Sequence, residues 1–346
     1  MTVERDRNSG TGTRQKQKIV VGTSRKPTGG DPTDASQERI TDHRPGRLSG
    51  GLPPVARRFV AGEMPAEALE HVRTLNERDV GALVNLLGSH SDGRSQAEAD
   101  AAVYRSLVDH VGNAKLDAGI TLKPTQIGLD LGEAVFREHL FEIADRASER
   151  KIPLWLDMEE PWTVDPTLAA FEDLVVEYEK VDTEYEKVDT EYEKVGVCVQ
   201  ANLKRTPGDL ERLADVPGKV RLVKGGAYDV PASVGYREKP RIDRAYRESL
   251  RQAFEQFDGG IAVASHDPEM IGLAKRLHDE YGTDFEFQML MGVRPDAQFD
   301  LAERYEVRQY VPYGERWKQW VLNRARNDLR FAARAVLGSS RIGSSR

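Results

Sequence analysis

The stretch Arg221-Leu222-Val223-Lys224-Gly225-Gly226-Ala227-Tyr228 combines two cations, a short apolar run and two consecutive glycines. A strand that ends in cations and bare backbone can hold an anion closely, because glycine lets main chain approach a ligand. One such stretch alone reads better as a solvated strand end. The pattern recurs, however. Other apolar runs lead to Lys123, Thr125 and Gln126, to Asp157, Glu159 and Glu160, and to Gln200, Asn202 and Lys204. Further runs lead to Ser265, His266 and Asp267, to Gln288, and to Tyr310 and Tyr313, and the first ends near Asn85. Lys123, Arg221, Lys224 and Arg324 suit an anionic cofactor together with a carboxylate substrate. Metal ligation has little support: His266 is the one strand-end histidine, and neither His-x-His nor His-Glu-x-x-His occurs. Ser265 lacks a base and orienter beyond its neighbour His266, so serine nucleophilic chemistry is also poorly supported. A Schiff-base lysine at Lys123 or Lys224 stays open.

These residues need a scaffold that brings strand ends to one face. Apolar runs predict strands at Gly81–Leu86, Gly119–Lys123, Pro153–Asp157, Gly196–Gln200, Lys219–Lys224, Gly260–Ala264, Asp284–Gln288 and Val307–Val311. Amphipathic stretches predict helices at Pro65–Glu77, Ala97–Val111, Glu133–Arg150, Arg241–Phe257 and Pro268–Tyr281, with a last one from about Arg316 to Leu337. Eight strand–helix units in about 285 residues match a (β/α)8 TIM-type barrel, whose active site lies at the C-terminal strand ends. The competing fold is an open doubly wound sheet. Its glycine-rich first turn is missing, since Leu87-Gly88-Ser89-His90 stands there instead.

The chain of 346 residues carries a net charge of −7, which argues against a nucleic-acid partner. One cysteine, Cys198, excludes a disulfide framework and points to a cytoplasmic setting, with Cys198 as a small core residue. No apolar run approaches the ~20 residues of a membrane span. Residues 1–52 read as a disordered tail, 53–338 as the barrel and 339–346 as a second flexible tail. Within the barrel, about 177–194 hold tandem copies of Glu-Tyr-Glu-Lys-Val-Asp-Thr, a heptad-repeat insertion before the fourth strand. It reads as a helix extension, with a short coiled coil as the alternative.

Seven of these segments, in order, resemble the proline dehydrogenase family, monofunctional and FAD-dependent. They are Leu122–Gln126, Leu156–Glu159, Val199–Leu203, Arg221–Tyr228, Ala264–Asp267, Glu286–Leu290 and Arg308–Gly314, within a match from about Pro53 to Leu337. The resemblance implies oxidation of L-proline to Δ1-pyrroline-5-carboxylate, the first step of proline degradation to glutamate. Electrons would pass to a quinone, with a peripheral place at the inner face of the membrane. Pyrroline-5-carboxylate dehydrogenase is the implied pathway partner. By resemblance, FAD contacts fall to Met158, Gln200, Arg221, Lys224, Gly225, Gly226, Ala227, Ser265, His266 and Gln288. Lys123 and Arg324 would hold the substrate carboxylate, Leu290, Tyr310 and Asp157 would shape the proline pocket, and the last helix would lie over the barrel mouth. Asp157 and Arg221 are the implied catalytic pair, Arg221 as a counter-charge to reduced flavin.

Three features depart from the family pattern, one of them the heptad-repeat insertion directly before the fourth strand. Asn323-Arg324 stands where the family has two arginines, and Gly225-Gly226 stands where it has one glycine. They keep a second reading in view, a flavin-binding paralogue with weak or lost turnover acting as sensor or interaction protein. A Schiff-base aldolase on the same barrel is the third.

Overall fold

Strands buried on both faces need helices outside them and one another inside, and the chain meets both needs by closing on itself. In this computed structural model, which describes residues 52–185 and 194–327, eight parallel strands form a closed barrel in sequence order. They are β1 (Gly81–Leu86), β2 (Ala118–Leu122), β3 (Leu154–Leu156), β4 (Val195–Gln200), β5 (Lys219–Val223), β6 (Ile261–Ala264), β7 (Phe285–Leu290) and β8 (Glu306–Tyr313). The barrel closes where β8 pairs with β1, Leu83 opposite Tyr310. The expected fold class is therefore observed.

Ten α-helices are described: α1 (Pro54–Arg57), α2 (Pro65–Asn76), α3 (Arg94–Ala114), α4 (Glu133–Glu149), α5 (Val164–Tyr185), α6 (Thr206–Leu213), α7 (Lys239–Gln256), α8 (Pro268–Tyr281), α9 (Pro295–Ala302) and α10 (Trp317–Asn327). Their ends follow local chemistry. At α2 the Glu67 carboxylate accepts from the Glu63 and Met64 amides at 2.8 and 3.1 Å. At α8 the Asp267 side chain accepts from the Glu269 amide at 3.0 Å, and Gly282 stops the helix at φ +74°. Helices α6 and α9 have eight residues each, too few for their apolar period to stand out in the sequence.

Strand residues alternate between the outer core and the barrel axis. Leu83, Trp155 and Ala262 form their own apolar cluster there, separate from the main core. Two glycines make room for the indole layer. A Cβ on Gly196 would lie 2.4 Å from the Trp155 ring, and one on Gly119 would lie 3.0 Å from Leu83 and 2.8 Å from the Pro153 carbonyl. Above this layer the axis turns polar, with Thr121, Arg221 and Gln288 all buried.

Helix α5 carries the chain into the heptad repeat as far as Tyr185, and residues 186–193 lie outside the described residues, as do the tails at 1–51 and 328–346. The side chains of 178–185 and 323–327 also lie outside the described residues. At the far end, Trp317 at the start of α10 shares an apolar cluster with Leu87, the residue after β1, and Leu290, the last of β7. Its indole N–H donates to Glu63 at 2.9 Å. The last helix thus begins over the barrel mouth. Among the described residues no helix is long and apolar enough to cross a membrane.

Candidate active site

The centre of the site is an ion pair inside the barrel. Arg221 is the middle residue of β5, not its end. Its neighbours Val220 and Leu222 are buried with the main core while Arg221 faces the axis, as a period of two requires. The guanidinium pairs with Asp157, the first residue after β3, whose amide donates to the Leu122 carbonyl at 2.8 Å. The Thr121 hydroxyl donates to Asp157 Oδ1 at 2.9 Å and accepts from Arg221 at 3.3 Å. The Tyr310 hydroxyl donates to Asp157 Oδ2 at 2.8 Å, and the Lys123 ammonium stands 3.5 Å from the same oxygen. The Trp155 ring lies 5.2 Å from the guanidinium carbon, within cation–π range.

Four side chains, carried by β2, the residue after it, β5 and β8, therefore converge on one carboxylate. Burial pushes Asp157 up, but Arg221, then Lys123, then the hydrogen bonds from Tyr310 and Thr121 outweigh it and hold the group below the ordinary carboxylate value. Burial pulls Arg221 down, and Asp157 outweighs that, so the guanidinium stays charged. Burial pushes the Tyr310 phenol well above its usual value, so it acts as a neutral donor. Cys198 sits opposite Arg221 in the β4–β5 register, and burial pushes its thiol up, in keeping with an inert packing residue.

Past the end of β5, Lys224 bridges Asp243 of α7 at 2.6 Å and Asp267 at 2.7 Å. Burial pushes both aspartates up, and the Lys224 hydrogen bond leads the effects that bring them below the ordinary value. Gly225 and Gly226 follow in left-handed conformations, φ +77° and +87°. A Cβ on Gly225 would meet Asn202 Oδ1 at 1.8 Å, whereas one on Gly226 would meet nothing within 4 Å. Asn202 Oδ1 is buried without a hydrogen-bond partner. Here, then, are open backbone and an acceptor awaiting a donor, beside a cation. A flavin, with ring N–H groups and an anionic tail, fits those features.

Gln200 closes β4 by donating to the Met158 and Glu159 carbonyls at 2.9 and 2.8 Å, which ties down the loop after β3. The Leu290 amide donates to His266 Nε2 at 2.7 Å, so the neutral ring carries its proton on Nδ1. Ser265 Oγ accepts from the Asp267 amide at 3.2 Å. Gln288 accepts from Arg221 at 3.2 Å. The structure thus gathers Lys123, Asp157, Arg221, Tyr310 and Gln288 into one network. Asn323 and Arg324 lie on α10 with side chains outside the described residues.

One site residue, Thr121, escaped the sequence reading, as did the contacts that hold Glu159. Thr121 lies two residues before Lys123, so the period of a strand would have placed both on the axis. Tyr228 donates to Glu159 at 3.3 Å, and Thr125 holds the same carboxylate through its amide and hydroxyl, each at 2.9 Å. Burial nevertheless keeps Glu159 above the ordinary value.

A second tie crosses the mouth. His90, after β1, contacts Asp130 at 3.0 Å and Glu160 at 3.2 Å, linking three loops. Burial lowers its pKa, but Asp130, then Glu160 and Glu159, raise it above 6.5 overall. The stability this tie adds is full below that ordinary value and is lost as pH rises through the raised one. The melting temperature of the parent is therefore expected to exceed that of His90→Asn by more at pH 6 than at pH 9. A difference independent of pH would show that the imidazole charge plays no part.

The proline dehydrogenase family model matches residues 68–319. Proline dehydrogenase 1 of Bacillus subtilis (strain 168) is 32% identical over 274 residues, covering 78% of this chain and 85% of the relative. The proline dehydrogenase of Deinococcus radiodurans is 34% identical over 293 residues, covering 82% and 89%. Among solved structures, proline utilization A from Bdellovibrio bacteriovorus, inactivated by N-propargylglycine, aligns with a TM-score of 0.70 at 20% identity over 84% of this chain. The chain spans 34% of that protein's length, so this likeness speaks for the fold alone.

Proposed function

The chain belongs to the proline dehydrogenase family, and from that membership we propose that its barrel mouth oxidises L-proline to Δ1-pyrroline-5-carboxylate on a bound flavin, specifically FAD. The observation that carries the reading in this chain is the Lys123–Asp157–Arg221 cluster, with Tyr310 oriented onto it.

A bound flavin supplies the acceptor for the hydride that leaves the ring carbon beside the proline nitrogen. Gln200, Lys224, Gly225, Gly226, Ala227, Ser265 and His266, with Arg221, Gln288 and Met158, are the residues that hold it. Lys123 offers its ammonium to the substrate carboxylate and is itself held by Asp157. Asp157, kept below the ordinary carboxylate value by two cations, is a poor proton acceptor at neutral pH. Its role is that of a fixed charge that orients Lys123, Arg221 and Tyr310. The ammonium proton of proline then passes to solvent. Arg221, buried and fixed by Gln288 and Asp157, brings positive charge to where negative charge develops. Arg324, and Asn323 beside it, complete the carboxylate contacts from α10. A quinone takes the electrons at the membrane surface, and pyrroline-5-carboxylate dehydrogenase consumes the product.

Purified protein is expected to carry flavin absorbance that bleaches when L-proline is added without oxygen. Flavin that stays oxidised at saturating proline would establish the paralogue reading instead.

A further inference from the structure

Below Arg221 the polar axis continues toward the opposite end of the barrel. Gln288 accepts from Arg221 through Oε1 at 3.2 Å and donates through Nε2 to Glu286 Oε1 at 2.5 Å. Glu286 Oε2 accepts from Arg308 at 3.1 Å, and Arg308 also reaches Asp117 and Glu306, each at 2.7 Å. Glu286, Gln288 and Arg221 are all buried. Water is therefore a poor substitute for any partner in this column.

A guanidinium can only donate and an ionised carboxylate can only accept. An amide held between them has one satisfied orientation, with oxygen toward the guanidinium and nitrogen toward the carboxylate. Turned the other way, Gln288 would point its NH2 at Arg221 and its oxygen at Glu286. Both contacts would fail in a buried site, where each unmade bond is costly.

We propose that Glu286 is a positioning residue for proline oxidation: its carboxylate locks the Gln288 amide, whose oxygen in turn fixes the Arg221 guanidinium beneath the substrate site. The inference rests on the functional reading above. Arg308 on the far side sustains the lock by keeping a cation against Glu286; burial leaves the carboxyl above its ordinary value, and Arg308 leads the effects that oppose this. A glutamine at position 286 presents either an oxygen or an NH2 to Gln288, so the choice of orientation is lost.

The test compares the parent, Glu286→Gln and the conservative variant Glu286→Asp. Arg308 keeps Asp117 and Glu306, so the single variant leaves no unpaired cation behind. In Glu286→Gln, kcat is expected to fall by about tenfold, since misplacing a reacting-site group by a fraction of an ångström costs on that scale. KM for proline is expected to stay within about twofold, because the proline contacts are untouched. The midpoint potential of the bound flavin is expected to drop as Arg221 loosens. Glu286→Asp keeps an acceptor-only carboxylate, withdrawn by one methylene, and is expected to retain most of the parental kcat. Should Glu286→Gln not fold, Glu286→Asp alone is expected to show the same shifts at smaller size. Glu286→Gln with parental kcat and potential would overturn the proposal, as would an equal loss in Glu286→Asp. Parent flavin that proline fails to bleach overturns the functional reading itself, a distinct outcome.

Discussion

Arg221→Met is expected to lower kcat/KM for L-proline at least a hundredfold and to destabilise the barrel by about 3–5 kcal/mol, the scale on which removing one partner strands a buried charge. Methionine fills much of the same space, so packing accounts for little of the loss. The cost comes from Asp157, which keeps Lys123 at 3.5 Å but loses its buried guanidinium. The pH dependence separates this from generic damage. Asp157 is held below the ordinary carboxylate value, so its stabilisation is present above about pH 4 and is lost as pH falls. Urea unfolding should therefore show a large gap between parent and variant at pH 7 that narrows below pH 4. Arg221→Lys keeps the charge but not the planar fork that reaches Asp157, Thr121 and Gln288 together, and its turnover should fall between the two. A constant gap across that range would mean that the pair contributes no net charge stabilisation.

Gly225→Ala should cost about 2–5 kcal/mol and release the flavin, because the left-handed backbone alone is worth ~1–2 kcal/mol against any Cβ and overpacking adds about 1–3 kcal/mol. Here the new methyl would lie 1.8 Å from the Oδ1 of Asn202, a side chain too buried to step aside. Gly226→Ala carries only the backbone strain, since open space surrounds its Cβ position. Thermal melting and the ratio of flavin to protein after gel filtration distinguish them: the first variant should elute largely colourless and the second yellow. Equal flavin retention in both would remove the Gly225–Asn202 contact from cofactor binding.

The barrel was legible because each strand is an apolar run closed by a polar residue, and that signal is local. Strand β1 matches its expected span, and β2 differs by a residue at each end. The chemistry at Lys123 and Asp157 was legible for the same reason, since each directly follows an apolar run. Arg221 was recognised as important but placed at the strand end, because a cation in mid-strand usually signals a boundary. Only the closed barrel offers it an interior lined with partners from β2, β3 and β7. Lys224 shows the other limit. Its partner Asp243 lies on α7, and nothing in local sequence announces that contact. Glu286 looked like an ordinary strand residue until the amide of Gln288 gave it something to orient.

Trp155 has a practical consequence for work in solution. The chain holds four tryptophans, and Trp162, near the mouth, is 51% exposed, while Trp155 is enclosed on the axis with its ring 5.2 Å from the Arg221 guanidinium. Emission from the enclosed indole should be blue-shifted and sensitive to any movement of that cation, whereas the exposed indole emits further to the red. A Trp162→Phe/Trp317→Phe/Trp320→Phe background would leave the barrel's own filler as the one indole and turn it into an optical gauge of Arg221, readable without a label and before any turnover occurs.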